Sequence, residues 1–290
     1  MLKLHEVLHD VLFSFYRTSE KDKAAIEPMA NYFDGSSGLT VYAIDRKLDD
    51  WADALPHGLR LDDRATKDSM QHRQAVILRQ RYLHIQILLL RPALSHLLTI
   101  EFKQPGATGE PRLSPLFHRI LVQCGTACVR AAQEAIQLIY TEKSPHVGEV
   151  GSVDAWWYNV LFLYSSATCL VAARLAKSVQ AEIGDTILES WRKCMATLQE
   201  YSTFDSSVRK LIATLSILFD TIPRQYGRLE STSATFDLDP NPSIVPPDPF
   251  FAGSSWPSDQ MPIAGVDDFD FGFDPDDLSW LMTVPLESSY

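Results

Sequence analysis

The chain has 290 residues, 46% hydrophobic and 22% charged, a composition that suits a sizeable buried core and excludes a fibrous or wholly disordered protein. Its net charge of -11 is unevenly placed, because 12 of the 37 acidic residues and none of the 26 Lys and Arg residues follow Arg228. The first 228 residues therefore carry a charge of about +1 without any Lys/Arg run, which argues against nucleic-acid binding by this part alone.

The first 228 residues predict a series of helices and almost no strand-like alternation. Apolar residues recur three and four apart over residues 2–16, and a second such pattern over 41–55 stops at Pro56. Residues 68–98 carry the most regular pattern. Within it, Pro92 should kink or end the helix, because proline lacks the backbone N–H and clashes with the preceding turn.

Four more helices are predicted after a loop rich in Gly and Pro, over residues 116–140, 155–173, 186–201 and 207–226. Ser114 and Pro115 form a suitable N-cap and first-turn pair for the first of them. The second approaches the length of a membrane span without a charged side chain. It contains polar residues such as Asn159 and has no basic cluster on one side, which favours a buried central helix instead.

The chain after Arg228 differs from this helical body. Seven prolines lie between residues 240 and 262, a density that no helix survives. Six aspartates then alternate with apolar side chains, which keeps aromatic groups solvated and available to a partner with an apolar groove and a basic rim. The sequence therefore predicts an all-α bundle of about seven to nine helices over residues 1–228, followed by a disordered acidic tail over residues 229–290.

One motif in the first predicted helix has the spacing of a zinc site. His5, Glu6 and His9 form H-E-x-x-H, in which two histidines bind the metal and the glutamate activates water. The extended motif would have Gly and His where this chain has Leu12 and Phe15, and no strand precedes the motif to hold a substrate. A zinc hydrolase is therefore a remote alternative, and we predict that both histidines lie on the polar face of a helix.

Nothing else in the sequence indicates an enzyme. Because it has no phosphate-binding glycine loop, dinucleotide fingerprint or nucleophile elbow, we expect no catalytic residue, metal or cofactor. Trp156 and Trp157 are expected in the core, although they could line a ligand pocket. Reduced thiols packed as small core residues are expected for the four cysteines, which lie in apolar helical stretches. These are Cys124, Cys128, Cys169 and Cys194.

The third helical stretch resembles the central helix of the regulatory domain of fungal zinc-cluster (Zn2Cys6) transcription factors. In that family a tyrosine precedes an aliphatic stretch that Arg-Pro closes, and Tyr82, Arg91 and Pro92 occupy those positions here. Supporting segments occur in the family's order at residues 4–8 with Tyr16, 48–51, 124–136, 156–173 and 201–215. The resemblance covers residues 1–226 and implies a helical regulatory domain that lies between a DNA-binding module and an activation region.

The family's six-cysteine zinc cluster, with its basic neighbourhood, is not found in this sequence, and the four cysteines do not substitute for it. The resemblance therefore implies that DNA contact comes from a module missing through truncation at the N-terminus, or from a separate partner. It also implies a nuclear location and the control of metabolic genes.

We therefore expect a transcriptional regulator whose body tunes activation and whose tail recruits coactivators. A homodimer through the body and a small-molecule effector are both compatible with this interpretation, and no membrane association is expected. The alternative is a stand-alone effector-binding or protein-interaction module without direct DNA function, with a cavity near Trp156 and the Pro92 kink. The predicted coactivator-binding residues are Phe269, Phe271, Phe273, Leu278, Trp280 and Leu281.

Overall fold

The structure, a computed structural model, describes residues 2–16, 32–33, 40–61, 70–102, 114–144 and 151–232, with side chains as far as Asp220. These ranges contain eight α-helices and no strand, which confirms the predicted all-α class and helix number. The helices are α1 (Leu2–Phe15), α2 (Val41–Asp53), α3 (Met70–Phe102), α4 (Pro115–Glu142), α5 (Trp156–Leu175), α6 (Lys177–Ile183), α7 (Thr186–Tyr201) and α8 (Ser206–Thr232), and a 3-10 turn (His57–Leu59) follows α2.

Described residues as far as Pro223 belong to one compact unit, and the last turns of α8 belong to a second. The helix itself continues to Thr232, past the predicted end at residue 226. The helix passes through Gly227, which directly follows the predicted end and is a residue type that often terminates a helix. The predicted disordered tail lies outside the described residues, and the domain boundary at residue 228 stays a prediction.

Two local details differ from the sequence-based expectation. The short helix α6 was not predicted, because seven residues are too few for an apolar period to emerge. It ends at Gly184, whose φ of 67° lies in the left-handed region that glycine adopts without strain. Ser114 precedes α4 but makes no side-chain capping bond, whereas the Thr40 hydroxyl accepts the Ala43 N–H at 3.2 Å and caps α2.

Helix α3 lies at the centre of the bundle. It packs most extensively on α4 and also contacts α1, α2, α5 and the 3-10 turn. The predicted option that the helix ends at Pro92 is wrong, because α3 continues through the proline for ten residues to Phe102. A tertiary contact described below replaces the hydrogen bond that the proline removes.

Among the described residues, α3 is the one helix that is by itself long and apolar enough to cross a membrane, and 72% of its apolar window is buried inside the protein. Helix α5 qualifies only together with α6, from which it is bent by 106°. Every residue of α5 from Ser165 to Ala173 is buried, including the polar Ser166 and Thr168, which confirms a central buried helix over these turns. Protein contacts therefore cover the apolar surfaces of α3 and α5.

A polar network joins α3, α5 and α7 at one end of the core. The Asn159 side chain accepts a hydrogen bond from Gln80 Nε2 at 2.5 Å and donates to Tyr201 Oη and to the Asp154 carbonyl, each at 3.0 Å. Arg81 binds the Asp154 carboxylate through Nε at 3.0 Å and Nη2 at 2.7 Å. Because a buried polar group is costly unless it is paired, the network determines how the three helices align.

Replacing Asn159 by alanine should lower the free energy of unfolding by about 3 kcal/mol, because Gln80 and Tyr201 would lose a partner inside the core. Urea denaturation followed by far-UV circular dichroism measures this change. The control is Gln133→Ala, since the Gln133 amide binds Thr186 at the exposed surface and its loss should cost less than about 0.5 kcal/mol. Equal losses in the two variants would contradict a structural role for the network.

Candidate functional site at the Arg91–Pro92 step

Pro92 lies inside α3 and has no N–H to donate to the carbonyl of Leu88, four residues earlier. The Tyr16 hydroxyl donates to that carbonyl at 2.8 Å. Tyr16 is the first residue after α1, so this bond attaches the end of α1 to the middle of α3. The backbone hydrogen bond that the proline removes is thus replaced by a tertiary one.

The carbonyls on either side of Leu88, those of Ile87 and Leu89, also accept hydrogen bonds from side chains. The hydroxyl of Tyr32, a buried residue, donates to the Leu89 carbonyl at 2.8 Å. The Cys128 thiol, on α4, approaches the Ile87 carbonyl at 3.7 Å, within hydrogen-bond range for sulfur. Three consecutive carbonyls of α3 therefore accept hydrogen bonds from three other parts of the chain.

Arg91 is a fully buried cation beside the proline. Its Nε donates to Tyr16 Oη at 3.3 Å, and its guanidinium carbon lies 5.5 Å from the centre of the Tyr16 ring. Burial alone would lower the pKa of Arg91, but Tyr16, Cys169 and Cys128 outweigh it and raise that pKa above its ordinary value. Arg91 therefore stays charged within the core.

His84 lies two helical turns before Arg91 and is also buried. Its ring centre is 4.6 Å from that of Phe162 on α5. Burial, and then the positive charge of Arg91, lower the pKa of His84 from 6.5 to about 3. The imidazole is therefore neutral at neutral pH, and its Nδ1 has no hydrogen-bond partner among the described residues.

Tyr82 attaches a different helix to α3. Its hydroxyl donates to Asp49 Oδ1 at 3.2 Å and its ring stacks on Trp51 with a centre-to-centre distance of 6.2 Å. On the same ring lies the Arg79 guanidinium, 4.9 Å from the centre. Burial and the nearby Asp49 carboxylate raise the pKa of Tyr82 to about 12. The structure thus brings together Tyr82 and the segment 48–51, both of which belong to the family resemblance.

The three signature residues do not form one pocket. Tyr82 and Arg91 are nine residues apart, which places them roughly 13 Å apart along α3 and on opposite sides of it. Tyr82 binds α2, whereas the Arg91–Pro92 step binds the end of α1. What they share is a mechanical role, because each holds an N-terminal helix on the central one through a partly buried hydrogen bond.

The residues of the H-E-x-x-H motif lie as predicted on the polar face of α1. His5, Glu6 and His9 are exposed, and the His9 ring stacks on Phe13. Within the described ranges, no three His, Cys, Asp or Glu side chains are grouped as metal ligands. The absence of enzymatic activity stays a prediction, and the six predicted coactivator-binding residues of the tail lie outside the described residues.

The expectation of a core position is wrong for Trp157, whereas Trp156 is half-buried. Trp157 is 56% exposed, and Trp156 stacks on the exposed Phe204 with ring centres 5.7 Å apart. Both residues lie in the first turn of α5, whose later turns are mostly buried. They lie at the Gln80 end of α3, about 18 Å along the helix from Pro92, and the effector cavity near these positions stays a prediction.

Sequence reasoning missed several neighbours of the Arg91–Pro92 step, including Tyr32, His84 and the thiols of Cys128 and Cys169. A proline inside a helical pattern does identify the carbonyl that loses its donor. Nothing in the sequence pattern identifies which distant hydroxyl or thiol approaches that carbonyl, since these residues come from separate helices.

Replacing Tyr16 by phenylalanine should lower the free energy of unfolding by about 1–2 kcal/mol, because the Leu88 carbonyl loses its donor. In a Pro92→Ala background the backbone N–H of residue 92 can serve that carbonyl, so the same change should cost about 1 kcal/mol less. A double-mutant cycle measured by urea denaturation gives this coupling. A coupling of zero would contradict the replacement of the lost hydrogen bond by Tyr16.

Acid should destabilise the fold through His84. Its pKa is lowered on folding, so it stabilises the protein above pH 6.5 and this contribution is lost as the pH falls toward about 3. Between about pH 7 and about pH 5 the loss is roughly 2 kcal/mol, and His84→Leu should remove it. Urea denaturation at the two pH values tests this, with the exposed His5→Gln as control; identical pH dependence of His84→Leu and wild type would contradict it.

No protein-family model matches the chain, and no solved structure matches it. Curated proteins do. The sequence is 23% identical over 218 residues, 75% of the chain, to the sorbicillinoid biosynthetic cluster transcription factor 2 of Penicillium rubens. It is 27% identical over 176 residues, 60% of the chain, to the sorbicillinoid biosynthetic cluster transcription factor sor3 of Hypocrea jecorina. It is 25% identical over 143 residues, 48% of the chain, to transcription factor FBD3 of Gibberella moniliformis.

These matches cover 31%, 26% and 18% of the three relatives, so the chain spans less than a third of the length of each. All three relatives are named as transcription factors, and all come from fungi. At this low identity, the chain is similar to part of several fungal transcription factors.

Proposed function

We propose that this chain is the regulatory and activating region of a fungal transcriptional regulator that controls metabolic genes. The similarity to three fungal transcription factors, extending over as much as 75% of the chain, carries the proposal. Two of those relatives are named for a biosynthetic gene cluster, which favours the control of metabolic genes. The contacts of Tyr82 and of the Arg91–Pro92 step give the family-signature residues a physical role that supports the same assignment.

In this proposal the helical body is the regulatory part and acts in the nucleus. The near balance of charge over the first 228 residues leaves little electrostatic attraction for phosphate, so DNA contact is assigned to a zinc-cluster module or a partner outside these residues. A homodimer or a small-molecule effector would act through the same body. The exposed aromatic surface of Trp157 and its neighbour Tyr158 is available for such contacts.

The tail is assigned to coactivator recruitment. Its six predicted contact residues (Phe269, Phe271, Phe273, Leu278, Trp280 and Leu281) alternate with aspartates, and the tail has no Lys or Arg. Repulsion among the carboxylates prevents collapse of the apolar side chains, so that a basic-rimmed apolar groove can bind them. A purely solubilising acidic segment would not need these aromatic groups.

A reporter assay tests the activation assignment. Residues 228–290, fused to an unrelated DNA-binding domain, should activate transcription of the reporter, and replacing the six apolar contact residues by alanine should abolish activation. The matched control replaces six Ser and Pro residues of the linker between residues 240 and 262 by alanine, which should leave most of the activation intact. A silent fusion, or equal activity of the two substituted tails, would refute coactivator recruitment through these side chains.

A further inference from the structure

Two thiols lie side by side in the core, on helices that are adjacent in space. The Sγ atoms of Cys128 on α4 and Cys169 on α5 are 3.7 Å apart, and both side chains are completely buried. Both are free thiols, separated by 41 residues in the chain. The third buried cysteine, Cys194, lies elsewhere and donates to the Leu163 carbonyl at 3.6 Å. Cys128 and Cys169 therefore form a pair to which the third buried cysteine does not belong.

A buried positive charge accompanies this pair. Arg91 interacts electrostatically with both thiols and with Tyr16. A hydrogen bond from Cys128, and then the charge of Arg91, lower the pKa of Cys169 against the opposing effect of burial. The Cys128 proton, which otherwise points to the Ile87 carbonyl at 3.7 Å, can turn to the Cys169 sulfur when that sulfur is ionised. Two cysteines that served only to fill space in the core would need neither the Arg91 charge nor a second hydrogen-bond partner for Cys128.

We propose that Cys128 and Cys169 are a redox modification site, an oxidisable thiol pair that a peroxide converts into an intramolecular disulfide linking α4 to α5. The proposal goes beyond the proposed function and does not depend on it. It assigns a chemical role to a pair of thiols of which only Cys128 also takes part in a contact with α3. It also places a covalent switch beside the Arg91–Pro92 step, to which the end of α1 is attached.

The reaction has two steps. The Cys169 thiolate attacks one oxygen of hydrogen peroxide, the O–O bond breaks, and the departing hydroxide takes the proton that Cys169 released, which leaves a sulfenic acid and water. The Cys128 sulfur then attacks the Cys169 sulfur, the S–O bond breaks, and the departing hydroxide leaves as a second water with the Cys128 proton. Two sulfur atoms are oxidised by one electron each, and the two peroxide oxygens are reduced.

The geometry requires only a small movement. A disulfide bond is about 2.05 Å long, so the sulfur atoms must approach each other by about 1.7 Å, which small changes of rotamer and helix position can share. Hydrogen peroxide is close to water in size. Cys124 is partly exposed and lies one turn before Cys128, so the pair is about 6 Å along the helix from a residue that solvent reaches. A local opening at that turn would admit the oxidant.

The test treats the full chain with a small excess of hydrogen peroxide under native conditions, followed by acid quenching, alkylation and peptide mapping by mass spectrometry. Two of the four thiols should disappear, the intact mass should fall by two hydrogens, and one cross-linked peptide should contain Cys128 and Cys169. Dithiothreitol should restore both thiols. Cys124→Ser and Cys194→Ser are the controls, and each should still form the same cross-link.

Two results would overturn the proposal. The first is a native protein in which Cys128 and Cys169 remain thiols while Cys124 is oxidised. The second is a cross-link that appears only after denaturant is added, or that joins the four cysteines indiscriminately. Cys128→Ser provides an independent check that does not need the disulfide. Without a partner thiol, Cys169 should remain as a sulfenic acid, which a dimedone probe labels. An unlabelled Cys169 in a folded variant would contradict its assignment as the attacking thiol.

Discussion

The core is organised around a carbonyl group that cannot be satisfied within its own helix. Pro92 removes the donor for Leu88 in the middle of the central helix, where an unpaired acceptor costs about 1–3 kcal/mol. The Tyr16 hydroxyl meets this need and also accepts from Arg91, so a single phenol serves both the carbonyl and the buried cation. Tyr16 follows α1 directly. The hydrogen bond that compensates for Pro92 therefore also holds α1 on α3.

Polar contacts at other heights along α3 hold α2, α5 and α7 in place. Tyr82 holds α2 through Asp49, and the Gln80–Asn159 network holds α5 and α7. Apolar burial provides most of the driving force for such a bundle but specifies alignment poorly, since aliphatic surfaces can slide past one another. Polar contacts have defined partners, and they determine which turn of α3 faces which neighbour.

The uneven distribution of charge agrees with different proposed roles for the helical part and the tail. Residues 1–228 have a net charge near zero, whereas the residues after Arg228 combine acidic and aromatic side chains, to which we assign coactivator binding as a proposal. Similarity to parts of fungal transcription factors at 23–27% identity supports a role in transcription regulation. The proposed redox pair, Cys128 and Cys169, lies in the core of the helical part.

The sequence by itself determined the helical class and the approximate helix bounds, because one-sided burial imposes a period of three to four residues on apolar side chains. It also predicted a disturbance of the helix at Pro92, since proline lacks the backbone N–H. Only the tertiary structure decided that Tyr16 supplies the donor, that Cys128 meets Cys169, and that Trp157 is exposed. These outcomes depend on which faces of distant helices meet, and local periodicity contains no information about that pairing.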